Sequence, residues 1–200
     1  MGSTGKACVL TAVLPEAEAL PGWGGFELQW RRGGACFYCG PDGVDVLVTG
    51  MGPLNASFSC GLIADLGHEL WLNAGIAGSL KDVWKLGSVH RIGRTCFIPE
   101  ASSGELPKLG PILSDSPLTL ATVAAPLHDR ELRDFLAASA DLVDMEGHAL
   151  ALAARSAGKR IAIYKIVSDS AAGETHAEIR ASIPRIMPLL YDFIRADGLL

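Results

Sequence analysis

Two acidic residues stand where apolar runs stop, one in Val143-Asp144-Met145-Glu146-Gly147 and one in Lys165-Ile166-Val167-Ser168-Asp169-Ser170. Burying a carboxylate is costly unless something pairs with it. Two such placements therefore suit proton transfer, or the stabilisation of a positive charge formed during reaction. Each also fits a helix N-cap or a loop residue, and spacing alone leaves both readings open. A third carboxylate lies in Pro15-Glu16-Ala17-Glu18, directly after the apolar run Cys8–Leu14. At a strand's end and a helix's start it could hold a water, although acidic residues favour the first turn of any helix through the backbone dipole. Two glycine-bearing segments, Thr49-Gly50-Met51-Gly52-Pro53-Leu54-Asn55-Ala56 and Asn73-Ala74-Gly75-Ile76-Ala77-Gly78-Ser79-Leu80, would let backbone approach a ligand. The first matches neither a P-loop nor GxGxxG, and a tight turn explains it equally well. The second leaves room for a flat ring or a sugar, and simple close packing would account for it too.

The elements that must carry these residues follow from hydrophobic patterning. Strand-like runs cover Cys8–Leu14, Ala35–Cys39, Val44–Thr49, Leu70–Ala74, Gly87–Ile92 and Ile161–Val167. Several are continuous rather than alternating, the pattern of strands buried on both faces. Helices are predicted over Leu54–Leu66, Asp129–Ala138, Met145–Ser156 and Ile183–Arg195, the last with Pro184 near its start and Pro188 bending it. The alternation implies an α/β fold with a central, mostly parallel mixed β-sheet flanked by helices. Sites in such sheets gather at the carboxyl ends of the strands, which is where the acidic and glycine segments fall. The proline-rich stretch from Pro99 to Pro126 reads as a long loop or excursion within one domain spanning 1–200.

Composition removes other classes. At 200 residues, 49% of them apolar, the chain can enclose a substantial core. A net charge of −5 with no basic block speaks against a nucleic-acid partner. The longest uncharged stretch, Val46 to Ala64, is broken by Gly50, Gly52, Pro53 and Asn55 and reads as strand, loop and helix rather than a membrane span, and the N-terminus lacks the pattern of a signal peptide. Five cysteines, an odd number scattered among apolar neighbours, read as reduced thiols of a cytoplasmic protein. Cys36 and Cys39 have CxxC spacing but sit in a strand-like run without a second pair. The histidines lack ligand spacing, so neither metal nor cofactor is expected.

In order along the chain, AVLPEAEAL (12–20), TGMGPLNA (49–56), NAGIAGSL (73–80) with Lys85-Leu86-Gly87-Ser88-Val89, VDMEGHA (143–149) and Val167-Ser168-Asp169 resemble the nucleoside phosphorylase/nucleosidase superfamily. The likeness covers about residues 8 to 195 and points to the methylthioadenosine/S-adenosylhomocysteine nucleosidase-like branch. The resemblance implies cleavage of the N-glycosidic bond of a purine nucleoside or adenosyl-type compound. It implies that Glu146 binds the ribose hydroxyls with Met145 packed on the sugar, and that Asp169 protonates or hydrogen-bonds the purine N7, oriented by Ser168. Glu16 would hold the attacking water, while Ala77, Gly78 and Gly52 would line the pocket. Such a layout suits an oxocarbenium-like transition state, which needs an anion near the sugar and an acid near the leaving group. A homodimer or larger homo-oligomer is implied as well.

Water rather than phosphate is the expected nucleophile. Related phosphorylases usually carry Gly-Asp-Pro-type and arginine-bearing phosphate motifs, whereas here the first site reads Leu14-Pro15-Glu16 and no arginine precedes Gly75. A carboxylate at that place repels the anion by several kcal/mol at low dielectric. Arg91 and Arg94 keep a phosphate-dependent reaction as the alternative, and the shortened middle region raises a catalytically inactive, ligand-binding homologue as a second. Between Leu118 and His128, where an aromatic often stacks on the base, only Pro126 and Leu127 are available, so stacking would fall to Phe97 or a partner subunit. His148 after the glycine also resembles enzymes acting on futalosine and on adenosylated lipid precursors.

Overall fold

The computed structural model describes residues 6–98, 108–127, 129–171 and 174–200. Its strands are β1 (Ala7–Thr11), β2 (Glu27–Arg32), β3 (Ala35–Cys39), β4 (Val44–Val48), β5 (Leu70–Ser79), β6 (Val89–Arg91), β7 (Arg94–Ile98), β8 (Lys108–Ile112), β9 (Thr119–Val123), β10 (Leu142–Asp144) and β11 (Arg160–Asp169). The helices are α1 (Leu14–Glu18), α2 (Pro53–Ile63), α3 (Arg130–Ala137), α4 (Gly147–Ser156) and α5 (His176–Ala196). The sheet runs β2-β3-β4-β1-β5-β10-β9-β7-β8, with β11 on β5 and β6 on β11. Its centre is parallel: β1 pairs with β4 and β5, and β11 with β5. Antiparallel ladders occupy the periphery and the short β5–β10 junction. The fold is thus the α/β arrangement with a mixed sheet that patterning implied.

The continuous apolar runs became central strands because both faces are covered. One side of β1, β4, β5 and β11 packs on Ile183, Ile186, Met187, Leu190, Tyr191 and Ile194 of α5. The other carries Ala56, Cys60 and Ile63 of α2 with Leu150 and Ala154 of α4. Among the described residues no helix is long and apolar enough to cross a membrane.

Three sequence expectations need correction. The strand predicted over Leu70–Ala74 does not stop there: β5 continues to Ser79, so Gly75 and Gly78 lie within the strand. Of the Pro99–Pro126 stretch, 99–107 falls outside the described residues, whereas 108–123 supplies β8 and β9 rather than a loop. Helix α5 starts seven residues before Ile183, at a capping box in which the Thr175 hydroxyl accepts from Glu178 N–H at 3.3 Å and the Glu178 carboxylate accepts from Thr175 N–H at 2.8 Å. Pro184 and Pro188 therefore sit inside the helix. An interior proline costs roughly 3 kcal/mol. Six buried side chains from Ile183 to Ile194 offset that cost, each contributing about 1.5–3 kcal/mol.

Candidate active site

The carboxyl ends of β1, β5, β10 and β11 open on a cavity of about 670 Å3. Glu16, Glu146 and Asp169 all line it, as do Met145, Ser168, Ala77 and Gly78. Three acids from distant parts of the chain, only 2%, 7% and 8% exposed, thus share one hollow.

Each carboxylate is held by main-chain donors. Glu16, on the single turn of α1, accepts from Ala12 N–H at 2.8 Å, Val13 N–H at 3.2 Å and Ile76 N–H at 3.0 Å. The Tyr191 hydroxyl of α5 donates to the Glu16 carbonyl at 2.9 Å, fixing the turn from below. Glu146, immediately before α4, accepts from Gly52 N–H at 2.6 Å, which is the part Gly52 plays here. Asp169, closing β11, accepts from Ala171 N–H at 2.8 Å and from the Ser168 hydroxyl at 2.6 Å. Ala171 has a left-handed φ of 54°, a conformation that costs a non-glycine residue about 1 kcal/mol. Its bond to Asp169 and its burial retain it.

Glycines within β5 make room for the acids. A Cβ on Gly75 would fall 2.9 Å from Glu16 Oε1 and 3.5 Å from Lys165 Nζ. One on Gly78 would fall 2.8 Å from Asp169 Oδ1. Any larger residue at either place would push the carboxylate aside.

Sequence reasoning gave no part to Lys165, a buried cation beside these acids. It is 2% exposed and bonds Asp144 Oδ2 at 2.8 Å. Asp144 is itself anchored by the Thr122 hydroxyl at 2.7 Å and by Gly147 N–H at 2.8 Å, so it both caps α4 and grips the lysine. A lone lysine in the apolar run Ile161–Val167 was the available signal, since a buried cation requires a partner. Burial works against the Lys165 ammonium, but the charges of Asp144, Glu146 and Glu16 outweigh it and hold its pKa above the usual lysine range. Burial pushes Glu16 up, opposed by the Ile76 N–H and the Lys165 charge. Glu146 is pushed up to about 8 by burial and then by the charge of Asp144.

Four residues expected at the site are absent from the lining of this cavity: Gly52, which reaches it only through its bond to Glu146, and Phe97, Arg91 and Arg94. Phe97 does not line this cavity; its ring stacks on His148, with centroids 6.0 Å apart, in a groove between α2 and α4. Pro126 and Leu127 do line the cavity, so aliphatic rather than aromatic surface faces a ligand there. Arg91 and Arg94 are absent from its lining, and Arg91 is turned toward Asp197 at 3.8 Å.

Residues 109–196 match the family model described as the phosphorylase superfamily. Among solved structures, the chain is similar to the futalosine hydrolase of Helicobacter pylori strain 26695, with TM-score 0.81 and 21% identity over 97% of this chain and 98% of that one. It is similar to the 5′-methylthioadenosine/S-adenosylhomocysteine nucleosidase of Helicobacter pylori, with TM-score 0.80 and 19% identity over 96% of both chains. The S-adenosylhomocysteine nucleosidase of Streptococcus pyogenes gives a TM-score of 0.79 and 17% identity over 100% of this chain and 98% of that one. No curated protein matches the chain.

Proposed function

We propose that this chain is a nucleosidase that hydrolyses the N-glycosidic bond of a purine nucleoside or adenosyl-type compound, acting as one cytoplasmic domain. The observation that carries the reading is the convergence of Glu16, Glu146 and Asp169 on one cavity. Glu146 and Met145 take the ribose, and ionised Glu146 stabilises the positive charge that develops on the sugar. Asp169, oriented by Ser168, delivers the proton that the purine needs to leave. Glu16, beside the Lys165 charge, binds water and accepts its proton as oxygen bonds to the anomeric carbon. The products are free base and free sugar; Glu16 then releases its proton to solvent and Asp169 takes one up, which restores both groups for the next turnover.

A phosphate-dependent reaction lacks support, because neither Arg91 nor Arg94 lines the cavity, whereas Glu16, Asp144, Glu146, Asp169 and Glu174 all do. The futalosine hydrolase and the two nucleosidases of similar fold make methylthioadenosine, S-adenosylhomocysteine and futalosine the first substrates to try. Incubation with these, inosine and adenosine, with and without phosphate, should release free base in phosphate-free buffer. Release only with phosphate, or none from any substrate, would refute hydrolysis. Asp169→Asn should lower kcat at least about a hundredfold while the circular dichroism spectrum stays unchanged.

The same reading includes a homodimer. Leu54 (85% exposed) and Leu152 line the groove of about 640 Å3 between α2 and α4, and Phe58 (56% exposed) stands one turn beyond Leu54 on α2. Exposed apolar side chains at such a groove suit a second copy of the chain.

A further inference from the structure

Behind Asp169 stands a cation that does not line the cavity. Arg133 is the fourth residue of α3, a helix capped by the Asp129 carboxylate, which accepts from Glu131 N–H at 2.8 Å and Leu132 N–H at 3.2 Å. Leu132 and Leu136 of that helix join one apolar cluster with Leu80, Val143 and Ala171, which seats α3 against the carboxyl ends of β5, β10 and β11. From this seat the Arg133 Nε–H is shared between two carbonyls, that of Ser170 at 2.9 Å and that of Ser79 at 3.3 Å. Nη2 pairs with Asp82 at 2.7 Å and Nη1 with Asp134 at 3.2 Å. Only 12% of the side chain is exposed, so water does not readily replace these bonds.

The Ser170 carbonyl belongs to the same peptide unit as the Ala171 N–H, and a trans peptide points the two groups in opposite directions. One peptide plane is therefore held from both sides. Arg133 takes its carbonyl, and its N–H donates to Asp169 Oδ1 at 2.8 Å. Glu174 fixes the preceding atoms, accepting from the Ser170 N–H and hydroxyl at 3.1 and 3.0 Å. A cation on the carbonyl polarises the peptide and strengthens its N–H as a donor. It also steadies the left-handed turn at Ala171 that aims this N–H. The pair with Asp82 explains less, because Asp82 is 93% exposed and a pair with so exposed a partner contributes little.

We propose that Arg133 is a positioning residue for the general acid. Acting through the Ser170–Ala171 peptide, it holds the Asp169 carboxyl where its proton reaches the base nitrogen as the electron pair of the glycosidic bond leaves with the purine. Arg133 touches neither base nor sugar, so its loss should slow proton delivery and leave affinity alone. This rests on the nucleosidase reading of the cavity.

Arg133→Lys separates this role from simple bracing, because it sets a methylene where the Nε–H stood yet keeps a charge able to reach Asp82. With whichever of methylthioadenosine, S-adenosylhomocysteine and futalosine the natural protein cleaves, Arg133→Lys and Arg133→Gln should each lower kcat about tenfold, with KM nearly unchanged. In an Asp169→Asn background neither should lower kcat further, since the group they position is gone. Unchanged kcat, recovery of kcat by Arg133→Lys alone, or a full further loss beside Asp169→Asn would overturn the proposal. If the natural protein cleaves none of the three, the nucleosidase reading fails, and amide hydrogen exchange still tests the peptide. Exchange at Ala171 at least about tenfold faster in Arg133→Lys, with core strand amides unchanged, supports the hold; an unchanged rate refutes it.

Discussion

Glu146 sets the pH response of the site. The proposed mechanism needs its carboxylate ionised, whereas burial and the neighbouring Asp144 favour the neutral form and lift its pKa to about 8. A pH profile of kcat/KM should therefore rise through about pH 8, and a profile flat between about pH 6 and 9 would contradict this role. Asp144→Asn keeps the shape but deletes the negative charge beside Glu146, so the rising limb should move to lower pH. Stability responds in the opposite sense. The folded pKa lies above the ordinary carboxyl value of 4.5, so the benefit of neutral Glu146 is complete below about 4.5 and is lost as pH rises through about 8. Glu146→Gln never ionises; above about pH 8 its Tm should exceed that of the natural protein while its turnover falls.

At the scale of elements, β5 decides how closely the acids can gather. Gly75→Ala would set a methyl group 2.9 Å from Glu16 Oε1. A displacement of that size should lower kcat by about ten- to a hundredfold with little change in Tm, and unchanged kcat would remove Gly75 from the account. Which elements were legible in the sequence follows from their environment. β3 spans Ala35–Cys39 as patterning had it, and the cores of β1, β4 and β11 were read because burial on both faces leaves unbroken apolar runs. The exposed edge strand β2, with Glu27, Arg31 and Arg32, carries no such run, and its pairing comes from β3 alone. Strand β10 has only three residues, too few for any period, and α1 is a single turn. The start of α5 is written in the sequence as well: Thr175-x-x-Glu178 is a capping signature that outranks the two prolines beyond it. Within the site, acids that ended apolar runs stood out. Lys165 did not, because its meaning lies in Asp144, twenty-one positions away, and only folding brings the two together.

At the scale of the whole molecule, the acidic cavity and the apolar groove between α2 and α4 call for separate tests. Sedimentation at micromolar concentration should find two copies together, and Leu54→Asp combined with Phe58→Asp should yield single chains that remain folded. A natural protein that sediments as one chain would dismiss the second hollow as an assembly face. The acidic hollow has a different consequence, rooted in the donors that grip its carboxylates. Ala12, Val13, Gly52, Ile76 and Ala171 all contribute peptide N–H groups. Nearly every amino acid brings that same group to its position, proline alone excepted. The chemistry is thereby insulated from drift in the letters surrounding it, and a lineage can rewrite most of its spelling without retuning the machine. Such insulation is what an architecture shared at only 21% identity permits.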